Sequence, residues 1–236
     1  MQLAWFKTAD VYLGHGLVML KVNPETTHIF EHAPTMPLDR VLASCNGLVK
    51  KGTKLRIVLS SNLCAAFHVQ IPAAVVHSNE LNALMSASAA QQLDAPGSEF
   101  VCAIDQNKKS VAAAIPINTR NAIQAWVLQQ GCSIASLQPL WALATQFSVS
   151  QNANIKGLVL HEPDGSILMV ETNNDEMQTM SWSGHLASDV MQANVQRALV
   201  SFDLAEQNLL SLQFAARPAI AMKNPPAQWH NHWSAL

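Results

Sequence analysis

The sequence predicts an α/β fold built from two related lobes, and three observations carry that expectation. Residues Gly157 to Gly184, GLVLHEPDGSILMVETNNDEMQTMSWSG, read as three short strands joined by tight turns, with a helix and a further strand behind them. The first 60 residues show the same order of elements, although no sequence identity links the two stretches. Between them, Ser148 to Asn154 is polar and without large apolar side chains, the composition of a domain boundary.

In the first stretch, Asp10 to Leu13 and Leu17 to Val22 are predicted strands hinged at Gly14-His15-Gly16, and Thr27 to Glu31 is a third. Pro34 and Pro37 break this meander. Leu38, Val41, Leu42 and Leu48 mark a helix ending near Lys50-Lys51-Gly52, and Leu55 to Leu59 is a strand of buried type. Cys64 to Ile71 reads as a strand that Pro72 stops. Ser78 is the expected cap of a helix that turns Leu81, Leu84 and Met85 inward and ends at Asp94-Ala95-Pro96-Gly97. Phe100 to Ile104 and Val111 to Ile115 form a hairpin across Asp105 to Ser110. Asn118 or Thr119 is expected to cap a second helix carrying Ile123, Trp126 and Val127, which Gly131 closes. Cys132 to Leu137 is a strand, and Pro139 starts a short helix with Leu140, Leu143, Ala144 and Phe147 on one stripe.

In the second stretch, Leu158 to Leu160 and Ile167 to Val170 flank the turn Glu162-Pro163-Asp164-Gly165. Asn173-Asn174-Asp175 turns the chain again, and Met177, Met180 and Trp182 supply a weaker third strand. Ser188-Asp189 opens a helix with Met191, Val195, Ala198, Leu199 and Phe202 on one face, and Leu209 to Phe214 is the last strand.

Composition bounds the function classes. A chain of 236 residues with 49% apolar content buries a substantial core. A net charge of −2 and a charged fraction of 13% leave no electrostatic footprint for nucleic acid or an anionic bilayer. Cys45, Cys64, Cys102 and Cys132 lack the CxxC spacing of a zinc or redox site and read as reduced, partly buried thiols. No apolar run approaches the ~20 residues of a membrane span, and Met1 to Asp10 has neither the basic nor the apolar region of a signal peptide, so a cytoplasmic chain is expected.

A meander followed by a helix and a parallel strand is the opening of a ribonuclease H-like half, and two such halves suggest the actin-like duplication. The run LRIVLSSNLCAAFHVQIP, the Glu80 to Gln92 helix, the FVCAID hairpin, NAIQAWVLQQGCSIASLQPL and NLLSLQFAAR together resemble the cytoplasmic actin-like domain of GspL-type proteins, the L components of the type II secretion inner-membrane platform. They are similar, almost as well, to PilM-type proteins of type IV pilus assembly. The resemblance runs from about Asp10 to Ala215 and is one of strands, helix faces and turns, with no catalytic signature. It implies an actin-like ATPase fold with a degenerate nucleotide site. The first lobe would span 1–150 with an inserted β-α-β-β-α subdomain at about 62–131, the truncated second lobe 151–216, and a tail 217–236. It also implies a non-catalytic scaffold, lying in the cytoplasm against the inner membrane or forming the cytoplasmic part of a single-span protein. Its partners would be the assembly ATPase, the cytoplasmic tails of platform proteins and a second copy of itself, with no nucleic acid and no small-molecule substrate. The alternative is a nucleotide-binding actin-like ATPase or switch. A free-standing cytoplasmic binding module is a third reading.

Actin-like ATPases hold phosphates in the turns between the first two strands of each half, where an acid before the turn orders magnesium and small residues expose backbone N–H groups. Here Tyr12 stands where that acid is wanted, and Asp10 lies two residues back, about 6–7 Å from the turn. At the second turn Pro163 removes a donor, and Asp164 places negative charge where phosphate would sit. Glu162 is a possible magnesium ligand, but no glycine follows two residues later. Neither catalysis nor a bound cofactor is therefore expected.

Other constellations read more simply. His230 and His232 in WHNHW lack a third ligand, so no metal is expected. Ser60-Ser61 and Ser181 to Ser183 lack a Gly-x-Ser-x-Gly elbow. Asp175-Glu176 reads as a solvated turn, and Met177, Met180 and Met191 as core filling or as an adaptable binding surface. Trp229 and Trp233 fit either an interfacial anchor or an unstructured end.

Overall fold

The computed structural model describes residues 8–23, 25–72, 75, 77–104, 111–151, 156–171, 177–183, 188–203, 208–214 and 229–231. Two five-stranded sheets carry the molecule, and they share one topology. In the first, β1 (Thr8–Gly14), β2 (Leu17–Asn23) and β3 (Thr26–Glu31) form an antiparallel meander, and β4 (Lys54–Leu59) and β8 (Ser133–Pro139) add on in parallel to give the order β3-β2-β1-β4-β8. In the second, β9 (Gly157–Glu162), β10 (Gly165–Glu171) and β11 (Met177–Ser183) form the meander. There β12 (Leu209–Gln213) and β13 (Trp229–Asn231) add on in parallel, in the order β11-β10-β9-β12-β13. Part of the region expected to be a C-terminal tail thus returns to the sheet, since β13 takes the place that β8 holds in the first lobe.

Strand alternation sorts the apolar side chains to two faces. Val11, Leu13, Val18, Leu20, Leu55, Ile57 and Leu59 are buried and share one face of the first sheet through the β1/β2 and β1/β4 registers. The helices α1 (Leu38–Ala43) and α3 (Ile117–Gln129) complete this part of the core with Val41, Leu42, Ile123, Trp126 and Val127. Tyr12 and Met19 sit opposite each other on the other face, towards the second lobe. The next helix, α4 (Leu140–Gln151), inserts Leu140, Trp141 and Ala144 into the same buried cluster, which then continues into Leu158, Leu160, Ile167, Met169, Leu210 and Leu212 of the second sheet. One core therefore runs through both lobes, with α4 belonging to each. The far face of the second sheet, with Val159, Leu168, Val170 and Leu209, packs on Val195, Ala198 and Leu199 of α5 (Ser188–Ser201).

A third, smaller sheet in the order β5-β7-β6 is inserted between β4 and α3, from β5 (Ala65–His68), β6 (Phe100–Ile104) and β7 (Val111–Pro116). The helix α2 (Ser78–Leu93) covers it, burying Met85 and Ala89 against Phe67 and Val69. The Thr179 hydroxyl of β11 reaches the Ala66 carbonyl at 3.4 Å, so the insertion also touches the second lobe.

Local expectations needed correction at several element ends: β5 stops at His68, short of Ile71, and α4 runs on to Gln151, into the stretch expected as a boundary. The first helix stops at Ala43 and not near Lys50, because Gly47 has a positive φ of 75° and the Asn46 side-chain Oδ1 accepts from the Trp126 and Gln130 side chains at 3.1 and 2.9 Å. His77 stands at the N-cap of α2 in place of Ser78, with Glu80 reaching back to its N–H at 3.4 Å. Pro116, not Asn118 or Thr119, precedes the first residue of α3; its fixed φ suits the entry into the helix. The turns expected at 105–110 and 173–175 lie outside the described residues. So do the pair Asp175-Glu176, His232 and Trp233. Among the described residues no helix is long and apolar enough to cross a membrane.

Candidate functional site

The lobes meet where the carboxyl ends of β1 and β4 face the β9–β10 turn, the edge at which open α/β sheets place their ligand sites. The Gly14-His15-Gly16 turn is closely held. Gly16 has a φ of +68°, and a Cβ there would lie 2.5 Å from the His32 carbonyl oxygen, while its own carbonyl accepts from the His32 N–H at 2.6 Å. Beside it, the Ser60 N–H donates to the Leu13 carbonyl at 2.8 Å, so the first residue beyond β4 is fixed against the end of β1.

Into this corner comes Asp164. Its Oδ2 accepts the His15 N–H at 2.8 Å and the Ser60 hydroxyl at 2.8 Å, and its Oδ1 accepts the Tyr12 hydroxyl at 3.1 Å. The Asn62 amide donates to the Asp164 carbonyl at 2.8 Å. Ser61 holds the neighbouring acid, giving Glu162 Oε2 its N–H at 2.8 Å and its hydroxyl at 2.6 Å. Tyr12, Ser60, Ser61, Glu162 and Asp164 are all buried. Phe214, just past β12, closes the side of the site with its ring centroid 4.7 Å from that of Tyr12. Gly14 leaves the carboxylate its space, since a Cβ would stand 2.9 Å from Asp164 Oδ2.

Burial dominates the electrostatics. It pushes the Glu162 carboxyl up to about 8, against the opposing effect of the Ser61 hydrogen bonds and with a further push from Asp164. Glu162 Oε1 is buried and has no hydrogen-bond partner among the described residues, which suits a carboxyl that keeps its proton. Burial, then the charges of Glu162 and Asp164, hold the Tyr12 phenol well above its ordinary value. Burial raises the Cys64 thiol and lowers the His161 imidazole to about 4.

Sequence reasoning located both turns and the unfavourable charge of Asp164, but it placed that charge on the second turn's own cradle. The carboxylate instead crosses to the cradle of the first. Ser60, Ser61 and Asn62 were missed as parts of the site; the available signal was a polar triplet directly after the apolar run Leu55 to Leu59. Asp10 stands apart from the corner and forms a two-pronged ion pair with Arg56, at 2.6 and 2.8 Å. That pair is largely solvent-exposed on the Arg56 side, so Arg56→Met is expected to change stability by about 1 kcal/mol or less in urea unfolding. A loss of several kcal/mol would show that the pair organises more than a surface. Among the described residues no three His, Cys, Asp or Glu side chains form a metal-binding group, and the four cysteines are free thiols. Met180 is exposed on β11.

No family model matches the chain, and no curated protein matches it. Solved structures do. A Bacteroides thetaiotaomicron protein of actin-like ATPase fold and unknown function superposes with a TM-score of 0.60 at 10% identity, over 92% of this chain and 86% of that one. The cytoplasmic domain of EpsL, an inner-membrane component of the type II secretion system of Vibrio cholerae, gives 0.56 at 9% identity, over 95% of this chain and 89% of that one. The chain has the actin-like ATPase fold. A PilM–PilN type IV pilus biogenesis complex is also similar, at a TM-score of 0.46 and 11% identity, over 84% of this chain and 66% of that one.

An actin-like ATPase fold implies a Mg-nucleotide between the lobes, and the residues present do not fit one. The first cradle's donors are turned onto the Asp164 carboxylate, whose charge opposes that of a phosphate, and Ser61 holds Glu162 beside it. No lysine or arginine among the described residues forms an ion pair with either acid.

Proposed function

We propose that this chain is a non-catalytic assembly component of a bacterial inner-membrane platform of the type II secretion or type IV pilus kind. In this reading it binds the cytoplasmic tails of membrane partners and the assembly ATPase. The observation that carries the reading is the occupation of the first anion cradle by the chain's own Asp164, which supports a two-lobed body that works without the fold's ordinary ligand. The likeness to the EpsL cytoplasmic domain over nearly the full length of both chains supports the choice of platform, at the level of shape.

Such a body offers surfaces for extended segments. Among the described residues β8 ends the first sheet, and a strand edge of this kind accepts a partner strand through backbone hydrogen bonds. Next to β8 a cleft of about 220 Å³ is lined by Tyr12, Val58, Leu143 and Phe214 together with the charged Asp10, Lys21 and Arg56. A short tail with apolar and charged residues suits that lining.

The test is co-purification of the tagged chain with the products of neighbouring platform genes, together with calorimetry against Mg-ATP. Retention of a platform protein and no heat of nucleotide binding are expected. Failure to retain any platform component, or micromolar Mg-ATP binding that Gly14 or Glu162 substitution removes, would overturn the reading.

A further inference from the structure

We propose that Tyr12, the His15 N–H and Ser60 form a carboxylate seat, and that Asp164 is its tethered ligand, a latch that clasps one lobe to the other with no nucleotide. The inference rests on the inter-lobe geometry and holds whether or not the chain serves a secretion platform.

Three donors from separate positions of the first lobe converge on the two oxygens of one side chain of the second, over sequence separations of 104 to 152 residues. Asn62 fixes the backbone behind that side chain, and Ser61 fixes Glu162 two residues before it. The seat is therefore held on both sides, and it adds a polar clasp to the apolar core that the two lobes share.

Its shape and charge select the ligand. Gly14 allows the carboxylate to lie against the backbone, with its Cγ 3.0 Å from where a Cβ would be, so the space suits a flat group. Every donor is neutral, no lysine or arginine pairs with Asp164 among the described residues, and Glu162 lies buried beside it. A singly charged planar carboxylate meets those donors well. A doubly charged tetrahedral phosphate is larger, and nothing in the seat balances its charge.

Tyr12 supplies the reporter, because it is the only tyrosine in the chain and its hydroxyl touches the ligand. The experiment uses full-length Asp164→Ala, followed by thermal melting and by the ultraviolet band of tyrosinate. Each is measured in formate, inorganic phosphate, Mg-ATP and chloride at matched ionic strength. The variant is expected to melt roughly 5–10 °C below the parent and to ionise Tyr12 at lower pH. Formate should return both readouts towards the parent in a saturable way, and phosphate and Mg-ATP should do no more than chloride. Parent-like melting and titration in Asp164→Ala would overturn the latch. Recovery in chloride equal to that in formate would overturn the seat, and stronger recovery in phosphate or Mg-ATP would overturn its selectivity. If Asp164→Ala does not fold, Asp164→Asn keeps the shape without the charge and is expected to show a lower melting point and earlier Tyr12 ionisation; an unchanged variant would count against the latch equally. None of these outcomes depends on whether platform proteins co-purify.

Discussion

Glu162→Gln is expected to flatten a fall in stability that the parent should undergo as pH rises from 6.5 to 8. Burial raises the Glu162 carboxyl from its ordinary 4.5 to about 8, so the folded protein holds a proton that the unfolded chain has released. A group whose folded value is raised contributes all of its stability below the unfolded value and loses it as pH climbs towards the folded value, here between 4.5 and about 8. His161 has the opposite sign: lowered from 6.5 to about 4, it favours the folded state fully above 6.5 and less below it. Above 6.5 the Glu162 effect is therefore seen without the histidine's. Its slope approaches ~1.4 kcal/mol per pH unit, so the parent should lose about 2 kcal/mol across this window. The groups facing Glu162 are Asp164 from its own turn, Tyr12 from β1 and Cys64 from the loop after β4, and the phenol and the thiol are themselves raised by burial. Glutamine resembles the protonated acid and can still accept from Ser61. Urea midpoints at half-unit pH steps decide the matter, and equal slopes for parent and variant would show that Glu162 is ionised throughout.

Trp141→Ala is expected to cost about 3–5 kcal/mol and to unfold both lobes in one transition. Trp141 is among the largest fully buried side chains, and its indole N–H donates to the Cys64 carbonyl at 3.1 Å. The next turn of α4 extends the connection, since the Thr145 hydroxyl donates to the Trp141 carbonyl at 2.7 Å and approaches Met169 Sδ of the second sheet at 3.6 Å. Trp141→Phe keeps most of the volume but leaves the Cys64 carbonyl unpaired, so a smaller loss of about 1–3 kcal/mol is expected. Denaturant unfolding followed by far-ultraviolet circular dichroism measures both. Two separate transitions, or a loss under about 1 kcal/mol for the alanine variant, would contradict a core shared across α4.

The doubled strand order was legible because β1, β2, β9 and β10 carry apolar runs and the turns within each pair carry glycine or proline. The fifth strand of the second sheet was not. Trp229 to Asn231 is only three residues long, and its pairing with β12 is a tertiary event that no local pattern announces. The site was half legible. Tyr12 and Asp164 were singled out from residue type alone, and the structure brings both into the inter-lobe corner. That Asp164 would be received by the opposite lobe depends on how two sheets approach, and the polar residues Ser60 to Asn62 acquire their meaning only from that approach.

The latch joins residues made far apart in time. At roughly 5–20 residues per second, the 149 positions between His15 and Asp164 take roughly 7–30 s to synthesise. Throughout that interval the donors of the first lobe have no Asp164 to receive them. Chaperone demand should therefore peak on the ribosome, before the β9–β10 turn has been translated, and fall away once that turn docks.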